Sequence, residues 1–513
     1  MKQLAGQQVL VLGLGMSGLA MAAWCARAGA QVRVWDSREQ PPQAEALRER
    51  APGAQRLAGP LQAEQLAGVH WVLKSPGLAP HDPAIAPLLA AARATGVRTG
   101  GELDLFALAL AELRADTGYA PRVLAVTGTN GKTTTTALTA LLVERAGRRA
   151  RAAGNIGPTM LDSLAQALDA GELPEVWVLE LSSFQLHDAG AFDPDAAVVL
   201  NLSQDHLDWH GSMDAYAAAK ARVYGSRGTM VVNRDDPLVQ AMAPAPAPPA
   251  AGPRRATRKP AGEPARTVLR FGLEPPAHAG DFGLVVESGM AWLVRALPAD
   301  EAFRPEPGEP PVHLQRLMPA DALRLRGRHN AANALAALAL ASAIGCPLAP
   351  MLHGLREYRG EPHRVESLGE VDGVEAFDDS KGTNVGATVA AITGLGEDRA
   401  PARLVVILGG DGKGQDFSPL VAPVSRHARA VALIGRDAPA LAQALAGCSV
   451  PMQRLDSLQE AVAWGFAQAR RGDALLLSPA CASLDMFRDY GHRAEIFAQA
   501  VREHAQRLGE VQA

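Results

Sequence analysis

Along the chain, short runs of consecutive apolar residues alternate with stretches whose apolar positions recur at helical spacing. The first such unit, QQVLVLGLGMSGLAMAAWCARAGAQVRVWD, reads as strand, glycine turn, amphipathic helix and a second strand at Gln31–Trp35. Val176–Leu179 and Ala196–Leu200 do not alternate with polar residues, which is the character of parallel strands buried on both faces. VLAVTG, ending at Gly128, behaves the same way. A third series, Leu404–Leu408, Val431–Ile434 and Ala474–Leu477, ends in Gly or Ser, with helical patterns between. This pattern predicts an α/β protein of three domains, at residues 1–99, 100–360 and 361–513. Two stretches interrupt the middle one. Ala241–Arg266 is built of Ala, Pro, Gly and Arg, and Asp300–Pro311 is rich in Pro and Glu. Both read as surface insertions without chemistry.

Composition adds limits. A chain of 513 residues is too long for one core. With 48% hydrophobic residues, 20% charged residues and a net charge of −4, there is no basic excess, and nucleic acid is not the expected partner. The N-terminus lacks the features of a signal peptide, and no apolar run reaches the ~18 residues of a membrane span. Cys25, Cys346, Cys448 and Cys481 show neither metal nor disulfide spacing, as in a reducing cytosol; Cys481 reads as a packed thiol. A cytoplasmic monomer without membrane or nucleic-acid partners is expected.

The strongest local motif is Thr127-Gly128-Thr129-Asn130-Gly131-Lys132-Thr133, which follows a strand and opens a helix. Glycines let backbone N–H groups approach phosphate oxygens, and the helix N-terminus adds positive potential. Lys132 can reach the β- and γ-phosphates, and the Thr133 hydroxyl can bind Mg²⁺. The motif is a short form: Val126 stands where the full P-loop has its first Gly. Glu180 and Asp205-His206 end the next two apolar runs. Each alone reads as a solvated strand end. Together with Thr133 they lie at consecutive strand ends of one sheet, where α/β proteins bind ligands.

In the first domain, Gly13-x-Gly15-x-x-Gly18 follows a strand, and Asp36 lies 18 residues beyond Gly18. This fits a dinucleotide fingerprint, so an NAD-dependent oxidoreductase is one open class, although any pyrophosphate nucleotide suits the same geometry. Ser75-Pro76-Gly77 can close the pocket or be a simple tight turn. In the third domain, loops beginning at Asp379, Gly409 and Ser478 leave strand ends of one sheet. They carry Lys381, Thr383, Lys413 and Ser483, which suit a small dicarboxylate or are solvated loop residues.

Taken together, GTNGKTTT, ELSSFQL (Glu180–Leu186), LNLSQDHLDWH (Leu200–His210), the Lys220 helix and GRHNAANALAALA (Gly327–Ala339) resemble the Mur ligase family over essentially the whole chain. Within it, GNIG (Gly154–Gly157), DDSKGTNVGAT (Asp378–Thr388), GGDGKGQDFSPL (Gly409–Leu420) and SPACASLDMF (Ser478–Phe487) resemble the members that add D-glutamate. The Asn-Pro-Arg signature of relatives adding diaminopimelate or lysine is missing.

The resemblance implies a Rossmann-like N-terminal domain, a central P-loop-type ATPase domain and a Rossmann-like C-terminal domain. The implied reaction joins D-glutamate to UDP-N-acetylmuramoyl-L-alanine with ATP and Mg²⁺, through an acyl phosphate. ATP would lie on Gly128, Thr129, Asn130, Gly131, Lys132, Thr133 and Thr134, and on Asn330, Arg364, Asp379 and Lys381. The UDP-linked substrate would meet Gly15, Asp36, Ser37, Arg38 and Gly77, then Asn155, Ser182 and His206. Lys381, Thr383, Lys413, Ser483, Leu484 and Tyr490 would hold D-glutamate. Tyr490 and Ala494 depart from the residues usual there, Phe and Gly. Thr133, Glu180, His206 and Lys220, the last as a carbamate, would hold the metal; Lys132, His206 and Lys220 would be catalytic. A sister ligase for another amino acid and a non-catalytic nucleotide-binding regulator stand beside the oxidoreductase as alternatives.

Overall fold

The computed structural model describes residues 2–190, 192–244, 266–299, 312–325 and 327–509. Most of the first proline-rich stretch and all of the second lie outside these residues. Arg266, read above as part of the first insertion, belongs instead to the folded body. Its guanidinium donates to the carbonyls of Gly228 at 2.8 Å and Gly225 at 3.0 Å.

Three sheets carry the chain. The first is parallel, with strands β1 (Gln8–Leu12), β2 (Gln31–Trp35), β3 (Gln55–Leu57), β4 (Trp71–Lys74) and β5 (Arg98–Gly100) in the order β3-β2-β1-β4-β5. β1 is flanked by β2 and β4, so the order reverses beside it and opens a crevice at its C-terminal end.

The second sheet begins with β6 (Arg122–Thr127), β7 (Ala150–Gly154), β8 (Val176–Glu180), β9 (Ala196–Val199), β10 (Thr229–Asn233) and β11 (Val268–Phe271). It continues through β12 (Phe282–Glu287), β13 (Met290–Pro298) and β14 (Val312–Pro319), in the order β14-β13-β12-β11-β10-β9-β6-β8-β7. β6 lies between β8 and β9, so Thr127, Glu180 and the segment after Val199 leave neighbouring strand ends. β12 and β13 form a hairpin around Ser288-Gly289, both at positive φ, the two-residue turn that matches strand twist.

The third sheet holds β15 (Glu366–Val371), β16 (Val374–Asp378), β17 (Leu404–Gly409), β18 (Ala428–Ile434), β19 (Met452–Arg454) and β20 (Ala474–Leu477), in the order β15-β16-β20-β17-β18-β19. β16, β20 and β17 are adjacent, and this adjacency collects the three polar loops read from the sequence. We propose domain borders near 99/100, inside β5, and near 360/361, between helix Leu348–Glu357 and β15.

The two joints between sheets differ. One continuous apolar cluster runs from Val11, Val34 and Leu73 through Phe106 to Trp177 and Leu179, fusing the first two domains. Phe106 meets Trp177 edge-on, with ring centroids 5.2 Å apart. The clusters on the two faces of the third sheet are separate from it. All four cysteines are free of disulfides, as their spacing predicted, and all four are buried.

Glu102 opens helix Glu102–Thr117 at the fused joint, where its carboxylate accepts the Leu161 N–H at 2.9 Å. Burial raises its pKa from 4.5 to about 7, against the opposing pull of the Leu161 bond. The folded chain therefore keeps a proton that the unfolded chain has lost between these two values. Its contribution to stability is fully present below about 4.5 and declines as pH rises through about 7. Glu102→Gln should flatten that part of a melting-temperature profile; an unchanged slope would show that Glu102 does not titrate there.

Candidate functional site

The loop after β6 takes its shape from its own neighbours. Gly131 has φ of 82° and caps helix Lys132–Arg145. A Cβ there would lie 2.5 Å from Asn333 Oδ1, so both the backbone angle and the space demand glycine. Asn333 lies on helix Arg328–Ala343 and donates to Asn330 Oδ1 at 3.1 Å, which places the predicted Asn330 beside the loop. The Asn130 N–H donates to Asn201 Oδ1 at 2.8 Å, and the Thr129 hydroxyl lies 3.0 Å from the Tyr216 hydroxyl. Thr133 and Thr134 are buried on the first turn of the helix.

Two ammonium groups converge here. Lys132 Nζ donates to the carbonyls of Gly128 at 3.0 Å and Thr129 at 2.8 Å. Lys220, buried on helix Met213–Ala221, donates to the same Gly128 carbonyl at 2.8 Å and to Thr127 Oγ1 at 3.3 Å. Burial, and then the Lys132 charge, hold the Lys220 amine well below its ordinary pKa. Lys132 is also lowered, first by burial, while the Glu180 carboxylate pulls it back up.

Glu180, 1% exposed at the end of β8, accepts Asn155 Nδ2 at 2.7 Å through Oε1. Its other oxygen, Oε2, is buried and without a hydrogen-bond partner. An orphaned anionic oxygen facing a phosphate loop suits a hard divalent cation such as Mg²⁺. His363, Glu366 and Asp378 also bring ligand atoms within 4.8 Å of one another. There, however, His363 Nδ1 already pairs with Asp378 Oδ2 at 2.7 Å, and the His363 N–H with Glu366 at 2.8 Å.

His206 has φ of 53° and lies 3.5 Å from Asp205 Oδ2, with its ring edge-on to Phe184. Burial lowers its pKa against the pull of Asp205, and Lys132 and Lys220 add to the lowering. Ser182 caps helix Ser183–Asp188 in a reciprocal pair with Gln185.

The third domain reaches this site through polar contacts. Arg364 donates to the Thr133 hydroxyl at 2.6 Å. The amides of Asn130 and Asn384 exchange hydrogen bonds at 3.4 and 3.2 Å. Asp379 accepts the Ser478 hydroxyl at 2.7 Å, and burial raises its pKa to about 7. Lys381 lies over the Tyr490 ring, 5.4 Å from its centroid, and burial lowers its pKa. A bridge between Asp411 and Ala482 ties the loop of Lys413 to that of Ser483. Thr383 is partly exposed, Lys413 and Leu484 are exposed, and Ser483 is buried. Sequence reasoning missed Asn384 and His363. Asn384 had a readable signal, since it caps helix Val385–Asp398 and its side chain accepts the Ala387 N–H at 2.8 Å.

In the first domain, Asp36 accepts the Leu14 N–H at 2.6 Å and a bidentate pair from Arg38 at 2.8 Å each. Burial raises its pKa, but the Arg38 and backbone bonds outweigh it and hold the value at about 2. A Cβ at Gly18 would collide with the Gly13 carbonyl, so helix Met16–Arg27 packs on the turn only with glycine there. Gly15 and Gly77 leave open space at the crevice, and Ser37 is exposed beside it.

A phosphate loop facing the cationic loops of a separate sheet is the equipment of a nucleotide-dependent ligase, in which one domain activates and another delivers. The chain belongs to the Mur ligase family. Family models described as Mur ligase MurD-like N-terminal domain, Mur ligase middle domain and Mur ligase glutamate ligase domain match residues 7–99, 126–250 and 363–481. It is 60% identical over 512 residues to the UDP-N-acetylmuramoylalanine–D-glutamate ligase of Albidiferax ferrireducens, covering 99% of this chain and 98% of that one. It is 57% identical to the enzyme of the same name from Burkholderia pseudomallei, covering 98% of each. Among solved structures it shares its fold with the UDP-N-acetylmuramate-alanine ligase of Thermotoga maritima (TM-score 0.54, 19% identity, 97% of this chain and 99% of that one). A MurF ligase of the same organism, solved with ADP, matches at TM-score 0.56 and 15% identity over 98% and 96% of the two chains.

Asp36→Ala removes an anion whose hydrogen bonds organise the nucleotide crevice. Titration calorimetry should show the UDP-linked ligand weakened by ~10- to 100-fold. ATP affinity should stay within about twofold, because its loop is on another sheet. Equal loss for both ligands would contradict separate sites.

Proposed function

We propose that the chain is a cytoplasmic, monomeric, ATP-dependent amide ligase that adds D-glutamate to UDP-N-acetylmuramoyl-L-alanine in peptidoglycan precursor synthesis. The near-full-length identity to enzymes named for that reaction carries the reading. The site supports it chemically. Among the described residues no helix is long and apolar enough to cross a membrane.

A carboxylate is a poor electrophile because its negative charge repels an amine. In the proposed reaction an oxygen of the L-alanyl carboxylate bonds to the γ-phosphorus of ATP, the bond to the β-phosphate bridging oxygen breaks, and ADP leaves. The D-glutamate nitrogen, as a neutral amine, then bonds to the carbonyl carbon of the acyl phosphate. The tetrahedral intermediate collapses, phosphate departs with the C–O electron pair, and the nitrogen loses a proton. Lys132 faces the phosphate loop and neutralises charge on the transferring group, with Arg364 arriving from the third domain beside Thr133. Asn155, Ser182 and His206 line the path of the muramoyl end, and Lys381, Thr383, Lys413, Ser483, Leu484 and Tyr490 receive D-glutamate. Mg²⁺, held by Thr133, Glu180, His206 and Lys220, would supply a further positive charge against the phosphates.

Lys220 serves this site as a carbamate. Its amine is buried and held toward the neutral form, which is the nucleophilic form that takes up CO₂. The amine nitrogen bonds to the CO₂ carbon, a C–O π pair moves onto oxygen and the nitrogen loses a proton, so the neutral amine beside the Gly128 carbonyl becomes an anionic oxygen ligand.

Phosphate release with UDP-N-acetylmuramoyl-L-alanine, scanned over D- and L-amino acids, should be strong with D-glutamate alone; a preference for another amino acid assigns a sister ligase instead. Lys132→Ala should lower turnover by at least ~100-fold while the far-ultraviolet spectrum is unchanged. Lys220→Arg should fold yet lose most activity, because arginine cannot form the adduct. Native mass spectrometry under CO₂ should show the added mass on wild type only. Full activity of folded Lys220→Arg would end the carbamate reading.

A further inference from the structure

Lys74 is the last residue of β4 and is 4% exposed, yet it belongs to neither the phosphate loop nor the UDP crevice as described. Its ammonium donates to the Leu78 carbonyl at 2.7 Å and to that of Ser75 at 3.4 Å, bracing the loop that contains Gly77. It forms an ion pair at 2.8 Å with Asp188 Oδ2, at the end of helix Ser183–Asp188 in the middle domain. It also lies 5.4 Å from the ring centroid of Trp209, on helix Leu207–His210. Asp188 is held from the other side by His187 Nδ1 at 3.1 Å, and the His187 ring stands edge-on to Trp209 at 5.0 Å.

One buried cation thus joins three segments. Each carries a residue assigned above to the UDP-linked substrate: Gly77 on the first-domain loop, Ser182 capping the helix that ends at Asp188, and His206 capping the helix of Trp209. We propose that Lys74, with Asp188 and Trp209, is a positioning clamp that sets the distance between the nucleotide end and the muramoyl end of the substrate site. The proposal rests on the reading that the UDP-linked substrate spans these two domains. The apolar joint around Phe106 and Trp177 already holds the domains together. A clamp at the substrate edge adds alignment rather than cohesion, and a buried pair of this kind fixes geometry more than it stabilises. A ligand confined to the first domain is indifferent to it, whereas a ligand touching both domains is not.

The test compares UDP, which needs only the first domain, with UDP-N-acetylmuramoyl-L-alanine, using Lys74→Met, Lys74→Arg and Asp188→Asn. In Lys74→Met and Asp188→Asn, UDP affinity should stay within about twofold, while the whole substrate weakens, in both Kd and KM, by ~10-fold. KM for ATP and D-glutamate should barely move, and Lys74→Arg should recover most of the loss. Parallel loss of UDP affinity, or no loss for the whole substrate in folded variants, overturns the clamp. A substrate-free readout separates this from the functional reading: spin labels on the first and second domains should give a broader distance distribution in Lys74→Met than in wild type. An unchanged distribution overturns the clamp, and failure of wild type to bind the UDP-linked acid overturns the reading of function.

Discussion

Two lysine ammonium groups share one backbone carbonyl. Lys132 and Lys220 both donate to the oxygen of Gly128, beside a buried carboxylate with one unpartnered oxygen. Two cations in a desolvated space repel strongly, and neither has a carboxylate hydrogen-bonded to it among the contacts described. The arrangement is unfavourable by itself and becomes favourable when anionic phosphates arrive, or when one amine stops being a cation. The loop that holds it is hydrogen-bonded to Asn201 and Tyr216 and closely approached by Asn333.

The rest of the architecture presents partners to that spot. A continuous apolar core joins the first-domain crevice to the sheet that carries the loop after β6. The third domain meets them through Arg364, the Asn130–Asn384 pair and the close approach of Gly386 to Ser203, where an added Cβ would lie 2.6 Å from the hydroxyl. Helix Val385–Asp398 also packs on the middle domain, where Gly394 lies against Gly327 and His329.

Much of this was legible in the sequence, and the reason is local. Strands such as β20 were bounded to the residue, because a fully buried parallel strand is a continuous apolar run between polar ends. The phosphate loop was legible because its glycines, Lys132 and Thr133 are contiguous. The hairpin of β12 and β13 went unread although Ser-Gly stood at its turn, since it lies between the two proline-rich stretches that drew attention away from pattern. Contacts between domains were not legible. Nothing near Lys74 in sequence points to Asp188, and Asn384 announces a helix cap but not its partner Asn130. Such pairings depend on how sheets dock, which no local period encodes. Lys220 stands out by family resemblance and not by spacing; the structure adds its burial and the neighbouring Lys132 charge, which lower its pKa.

The step on which the proposed chemistry turns is formation of an acyl phosphate from the L-alanyl carboxylate. It is tested most directly by turnover of UDP-N-acetylmuramoyl-L-alanine labelled with ¹⁸O in that carboxylate, followed by mass analysis of the released phosphate. One labelled oxygen should pass to phosphate for each amide formed. Product formed with unlabelled phosphate would contradict it.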